Sequence, residues 1–162
     1  AAKYIEEIKR TINQISVVID TANPILNAVL HEYMKQAEAL NIQMDMDLSI
    51  PNELAVQPMD LAVIIGNTVE NAIVACSDMS SSESGERRIS IRLFKQGKLL
   101  FYEIINPLGR DRKHPKHNDS KRIHGYGLYN VRNTAEKYKG HVDVQSDETT
   151  FKVTIVLNLA CE

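Results

Sequence analysis

The chain has 162 residues, 43% hydrophobic and 25% charged, close to the globular average, which excludes a disordered or fibrous polypeptide and allows one domain with a sizeable core. Nineteen Lys and Arg against 21 Asp and Glu give a formal net charge of −2, without the basic excess of a nucleic-acid binder, so no nucleic-acid partner is expected. No apolar run reads as a bilayer span, the charged first ten residues do not read as a signal peptide, and Cys76 and Cys161 form neither a disulfide framework nor a metal site, which points to a reducing compartment.

In chain order, isoleucines at 5, 8, 12, 15 and 19 recur at alternating spacings of 3 and 4, the seam of a coiled coil. The seam predicts that residues 1–20 are the C-terminal part of a dimerisation helix; a helix packed on its own domain is the alternative. The first residue is Ala and not Met, so an excised fragment is expected. Pro24 suits the first turn of a second helix running to about residue 40, with Ile25, Leu26, Val29, Leu30, Met34 and Ala37 as its apolar face. Ile42, Met44, Met46 and Leu48 alternate with polar residues and predict a half-buried strand. Residues 49–58 form a loop containing Pro51 and Pro58, and Asp60 is placed to cap a long helix ending near Cys76.

Residues 77–85 (SDMSSSESG) read as a surface loop. Ile89, Ile91 and Leu93 alternate, Gln96-Gly97 turns the chain, and residues 99–105 return as a more apolar strand, giving a hairpin. Residues 106–124 carry almost no core residues and no period. Residues 127–139 form a helix with Leu128, Val131, Ala135 and Tyr138 on one side, stopped by Gly140, and residues 141–146 and 150–157 close the chain as two strands. The sum is an α/β two-layer sandwich: a mixed, mostly antiparallel sheet of about five strands with three helices on one face.

Three features carry chemistry. Asn67 and Asn71 are spaced i, i+4 and share a face of the long helix, away from the core stripe Leu61, Ile65, Thr68, Ala72 and Cys76. Asn is a mediocre helix former, and on a solvated face Val63 and Val74 beside the pair would be exposed. The pair therefore reads as the polar floor of a pocket, whose amide carbonyl can ligate a hard cation such as Mg²⁺; a plain solvated face is the alternative. The second feature, Gly125-Tyr126-Gly127-Leu128-Tyr129-Asn130 (GYGLYN), opens a helix whose free N–H groups and positive dipole end suit phosphate, or is an ordinary entry turn. It is neither a Walker loop nor a dinucleotide fingerprint. The third is the segment 106–124, long for an idle connection. It holds six basic and two acidic residues, a local charge of +4, while the rest of the chain carries −6. A basic segment ending at the glycine pair reads as a lid over a small anionic ligand, or as a solvated loop. No Ser-His-Asp order, nucleophile elbow, His/Cys metal spacing or basic-aromatic stripe competes.

In order and spacing these motifs resemble the GHKL ATPases, which comprise gyrase, heat-shock chaperones, histidine kinases and mismatch-repair proteins. Asn67-Thr-Val-Glu-Asn71-Ala72 resembles the N-box, Gly125-Tyr-Gly-Leu-Tyr-Asn-Val131 resembles the second glycine box, and residues 150–157 resemble the closing strand. Residues 71–76 (NAIVAC) and 136–140 (EKYKG) resemble most closely the peptide-sensing histidine kinases of Gram-positive quorum-sensing type.

The resemblance covers about residues 21–158. It implies the Bergerat fold and a catalytic ATP-binding domain over residues 21–162, lidded at 106–124, that binds ATP and Mg²⁺ and passes the γ-phosphate to a histidine. Asn71 matches the Mg²⁺-ligating Asn. Asn67 stands where ATP-hydrolysing relatives carry a Glu base, which fits transfer to a side chain and not to water. Gly125 and Gly127 match the phosphate-contacting glycines, and His124, Tyr126 and Leu128 of the same box join the nucleotide-binding set. Asn106, in Asn106-Pro107-Leu108-Gly109, takes the place of the Asp of an Asp-x-Gly-x-Gly box and can accept the adenine amino group's hydrogen bond. Thr149 falls near a Thr that helps hold adenine, and Lys121 and Arg122 would offset γ-phosphate charge. The aromatic box between the glycine boxes is not recognisable.

The isoleucine seam resembles the second helix of a dimerising hairpin whose first helix carries the phosphoacceptor His. No His precedes His31, so the acceptor is expected outside this fragment. The implied partners are the protein's own dimerisation and phosphoacceptor helices, a second copy, and a response regulator; the full protein is expected to be membrane-anchored with this domain cytoplasmic. A catalytically silent nucleotide-binding or dimerisation module, and a serine-kinase anti-sigma factor, are the alternatives.

Overall fold

The computed structural model describes residues 21–110 and 125–160. The isoleucine seam, the expected 1–20 dimerisation helix and most of the expected lid lie outside the described residues.

Helix α1 (Pro24–Ala39) begins as the sequence predicts, with Pro24 in the first turn and the Asn23 side chain accepting the Leu26 N–H at 3.1 Å. Upstream, the buried Thr21 donates its hydroxyl to Asn27 Oδ1 at 2.5 Å and so fixes the chain's approach. Asn41, at a left-handed φ of 54°, releases the chain from the helix. Leu26, Leu30 and Ala37 are buried, but Ile25 is 38% exposed: one residue before Leu26, it is turned about 100° from the core. Strand β1 (Gln43–Ser49) alternates half-buried and exposed residues as predicted.

Helix α2 (Pro58–Ser77) starts two residues before the Asp60 cap expected from sequence. Gln57 is the capping residue, without a side-chain cap bond, and Asp60 lies inside the first turn. Its 20 residues are, by length and composition, enough to cross a membrane, against the sequence reading that no run is. Half of that stretch is buried within the domain, however, with Leu61, Ile64, Ile65, Thr68, Val69, Ala72, Ile73 and Cys76 in the core, so it is the central core helix.

The Ser-rich stretch contains a 3-10 helix (Ser81–Glu86) where a plain surface loop was expected. Its entry is closed by Glu83, which accepts the Ser80 N–H at 3.2 Å and hydroxyl at 2.8 Å. Strands β2 (Arg88–Gln96) and β3 (Leu99–Pro107) form the expected hairpin, turning through Gly97 at φ 60°. Strand β3 extends through Asn106 and Pro107, and Asn106 and Leu108 are 3% and 5% exposed. The sequence reading of residues 106–124 as lacking core is therefore corrected at its beginning.

Helix α3 (Gly125–Glu136) starts two residues earlier and ends three residues earlier than expected. The left-handed residue after it is Lys139, φ 46°, and not Gly140. Gly140 serves close approach instead: a Cβ there would lie 2.6 Å from the Val156 carbonyl oxygen and 2.9 Å from that of Ala135. Strands β4 (His141–Ser146) and β5 (Thr150–Asn158) finish the chain.

The five strands form one sheet in the order β1-β2-β3-β5-β4, parallel only between β1 and β2. Ile89, Ile91 and Leu93 of β2, Leu100, Tyr102 and Ile104 of β3, and Val153, Ile155 and Leu157 of β5 join the three helices in one core. In that core Thr68 Oγ1 lies 2.9 Å from the Ile64 carbonyl and 2.8 Å from the Tyr102 hydroxyl. The Thr proton goes to the carbonyl, so the phenol donates to Thr68; burial pushes the Tyr102 phenol far above its ordinary pKa and keeps that proton in place. The opposite sheet face carries the stacked Phe94 and Phe101 rings, 5.1 Å apart, and exposed ion pairs of Arg88 with Asp45 and Arg92 with Asp47, which contribute little to stability.

Candidate functional site

Two elements far apart in sequence meet where the sequence placed its chemistry. Asn67 and Asn71 sit on one face of α2, and the start of α3 packs against that face. A Cβ built on Gly127 would lie 3.4 Å from Asn67 Oδ1 and 3.4 Å from Asn71 Nδ2, so the start of α3 packs directly on both amides. Asn67 Nδ2 donates to the Val63 carbonyl at 2.7 Å, one turn back. That bond occupies the amide nitrogen and leaves Oδ1 directed to the α3 start. Among the described residues the half-buried Asn71 side chain makes no hydrogen bond. Its amide is not among the buried unpaired groups, so it opens to solvent, where a ligand can reach it. Val63 and Val74, which a fully solvated face would leave exposed, are half-buried.

The crossing is locked at the other end of the two helices. The Tyr138 hydroxyl donates to Asp60 Oδ2 at 2.5 Å and receives the Gln57 N–H at 3.0 Å, and Lys137 Nζ lies 2.9 Å from Asp60 Oδ1. Burial alone would raise the Asp60 pKa, but the bonds from Tyr138 and Lys137, with the ammonium charge, outweigh it and hold the carboxyl below its ordinary value. The unfolded chain thus takes up a proton here at higher pH than the folded one. The stabilisation is complete above the unfolded pKa, about 4, and is lost as pH falls through the lower folded value. Asp60→Asn is expected to lower the melting temperature at pH 7 and to flatten its decline below about pH 4 relative to the parent; parallel melts across pH test both.

Asn106, at the end of β3, is nearly fully buried on the helix-facing side of the sheet, with its Nδ2 donating to the Pro107 carbonyl at 3.0 Å. Two residues on, the Leu108 N–H donates to the Thr149 carbonyl at 2.7 Å, which brings Thr149 beside the end of β3. The Thr149 side chain is exposed and its hydroxyl donates to Asp147 Oδ1 at 3.1 Å. Asp147 also accepts the Thr149 and Thr150 N–H groups, which pull its carboxyl down to about 2 and tie off the β4–β5 turn.

The structure therefore joins Asn67, Asn71 and Gly127 directly, and Thr149 with the Asn106 segment by one backbone bond. Gly125 begins α3, Leu128 packs partly against the core, and Tyr126 is 71% exposed, away from the asparagines' packing contact. Lys121, Arg122 and His124 lie outside the described residues. A cavity of about 710 Å³ opens at the far end of the β2–β3 hairpin, lined by Glu53, Leu54, Lys95 and Lys98 among others. It is an open groove holding none of Asn67, Asn71, Gly125 and Gly127, and chemistry favours the asparagine–glycine contact over it. Sequence reasoning missed Glu83: a single carboxylate in a Ser-rich, aperiodic stretch gives no burial signal, yet it is 6% exposed.

The model of the GHKL domain matches residues 56–158, more than half of the chain. The chain belongs to the GHKL domain family. No curated protein matches it. Among solved structures, the nucleotide-free catalytic domain of the histidine kinase ThkA superposes with a TM-score of 0.63 at 16% identity, covering 86% of this chain and 94% of that one. The histidine kinase AdeS of Acinetobacter baumannii gives 0.60 at 14% identity, with 84% and 64% covered. The mycobacterial sensor histidine kinase MprB gives 0.58 at 16% identity, with 83% and 93% covered. At such identities the likeness is one of fold: this GHKL domain has the three-helix, five-strand open sandwich of histidine kinase catalytic domains.

Proposed function

We propose that this GHKL domain is the catalytic, ATP-binding part of a sensor histidine kinase, binding Mg-ATP and transferring the γ-phosphate to a histidine on a dimerisation hairpin outside the described residues. The observation that carries the reading is the contact of Asn67 and Asn71 with Gly127, because it joins an amide pair to a helix N-terminus with no side chain between them.

Each residue has a role in the proposal. The free N–H groups from Gly125 onward, with the α3 dipole, receive the phosphates, and Tyr126 and Leu128 flank them. The Asn71 carbonyl oxygen, unused within the described fold, is a hard donor suited to Mg²⁺, which binds through few protein oxygens and keeps its waters. Mg²⁺ bound there supplies charge neutralisation on the phosphates. Asn67 is an amide and not a carboxylate, so it cannot take a proton from water; that disfavours hydrolysis and leaves the phosphoryl group for a side-chain acceptor. Lys121 and Arg122 would offset the γ-phosphate charge, and His124 joins the nucleotide-binding set. The Asn106 carbonyl accepts from the adenine amino group, with Thr149 beside it.

Within the histidine kinases the proposal places the chain in the Gram-positive peptide-sensing branch, on residues 71–76 and 136–140. The full protein is then a membrane-anchored homodimer with this domain in the cytoplasm, residues 1–20 ending its dimerisation helix, and a response regulator as the next phosphate acceptor. The test mixes the domain with a separately supplied acceptor hairpin and γ-labelled ATP. Acid-labile label on the hairpin histidine is expected. Nucleotide binding without any label would favour a silent nucleotide-binding module.

A further inference from the structure

Where β3 ends, the chain is held from both sides. The Leu108 N–H is bound to the Thr149 carbonyl at 2.7 Å. Two residues later the Arg110 N–H donates to Glu83 Oε1 at 2.8 Å. Between these anchors Gly109 is packed against Met79 and Glu83: a Cβ on it would lie 3.5 Å from Met79 Cα and 3.6 Å from Glu83 Oε2. The other carboxylate oxygen of Glu83 receives the Ser80 N–H and hydroxyl, and the Arg110 guanidinium reaches Glu86 at 2.6 Å and Glu83 at 3.8 Å. Glu83 is thus a nearly buried carboxylate with both oxygens occupied by the segment after α2 on one side and the segment after β3 on the other. The Arg110 N–H and then the Ser80 hydroxyl hold its carboxyl below the ordinary value, so the carboxylate form is the one that makes these bonds.

The consequence falls on Asn106. Its Nδ2 is spent on the Pro107 carbonyl, so the direction of its free Oδ1 depends on where the Pro107 peptide lies. Pro107 fixes its own φ and narrows the choices of the residue before it, so fewer backbone angles lie between residues 108–110 and Asn106 to absorb a displacement. Resting on the functional reading above, we propose that Glu83 is a positioning residue for the adenine side of the nucleotide site: it touches no ligand, and by clasping Arg110 it holds the Asn106–Leu108 wall where a purine amino group meets it.

The test compares two ligands on one protein. Mg-ATP needs both the adenine wall and the phosphate end; Mg-tripolyphosphate needs only the phosphate end. Glu83→Ala is expected to weaken Mg-ATP about tenfold, the worth of one well-placed hydrogen bond, and to leave Mg-tripolyphosphate unchanged. Ser80→Ala, a milder cut of the same clasp, is expected to move ATP affinity in the same direction by a smaller factor and covers the case in which Glu83→Ala fails to fold. Amide exchange at residues 108–110 should quicken in both variants while the α2 core stays protected. In the Asn106→Ala background, Glu83→Ala is expected to cost nothing further for ATP, because it acts through Asn106. Unchanged ATP affinity with quickened exchange would overturn the proposal, as would equal loss for both ligands. A parent protein that binds tripolyphosphate but not ATP would overturn the adenine reading itself, and this inference with it.

Discussion

Asn71→Ala is expected to weaken Mg²⁺-dependent ATP binding strongly while leaving the fold intact. The side chain makes no hydrogen bond among the described residues, so its truncation orphans no partner, and Ala is the better helix former at a mid-helix position. Thermal stability should hold or rise slightly. Affinity should fall, because the carbonyl oxygen proposed to meet the metal is gone: an interaction with a charged group is worth roughly 1.5–3 kcal/mol, or about 10–150-fold in Kd. The difference between ATP affinity with and without Mg²⁺ should shrink with it. A variant that loses affinity and melting temperature together would show that Asn71 is structural. Asn67→Ala is a less clean substitution, since Asn67 also bonds the Val63 carbonyl.

The largest effect on stability is expected at Gly140. A side-chain carbon there would meet the Val156 carbonyl oxygen at 2.6 Å, Leu157 Cδ2 at 2.8 Å and the Ala135 carbonyl oxygen at 2.9 Å. Two of the three are backbone atoms of packed elements, and the Gly140 N–H itself donates to Ala135, so the chain cannot step back. Gly140→Ala is expected to cost about 3 kcal/mol, the upper end of ordinary overpacking, and to lower the melting temperature by about 10 °C. Lys139→Gly is the informative control: Lys139 holds the left-handed φ, so glycine there is expected to be neutral or mildly stabilising. Denaturation curves for the two variants separate a glycine needed for space from one needed for dihedral freedom.

The same pair shows why the sequence was readable in outline and misread in detail. A glycine after a helical pattern correctly announces that the helix ends. It does not say which residue turns left-handed, because that depends on how closely Val156 and Leu157 of β5 pass. The strands were legible because their alternation reflects a single buried face: Ile89, Ile91 and Leu93 point inward, and so do Val153, Ile155 and Leu157. Asn106 was singled out by resemblance but illegible as a strand residue, since Asn-Pro at the end of an apolar run carries the composition of a loop. Its burial comes from β5, which pairs Phe151 with it. Asp60 looked like a cap because acidic residues suit helix starts, but Lys137 and Tyr138, just past the end of α3, took the carboxylate instead. Glu83 could not be found at all: one acidic residue among serines has no period, and it is covered by Gly109 and Arg110 arriving from the end of β3. In the site itself, the i, i+4 asparagines gave the shared face. That Gly127 would be the residue to meet both of them required the fold.

The central claim is that the asparagine–glycine contact belongs to a Mg-ATP site, and isothermal titration of the domain with ATP, in paired runs with Mg²⁺ and with a chelator, tests it most directly. The account predicts a one-to-one binding heat with Mg²⁺, a Kd between micromolar and millimolar, and marked weakening when the metal is withdrawn. No binding heat in either run, from protein whose melting curve shows it folded, would contradict it.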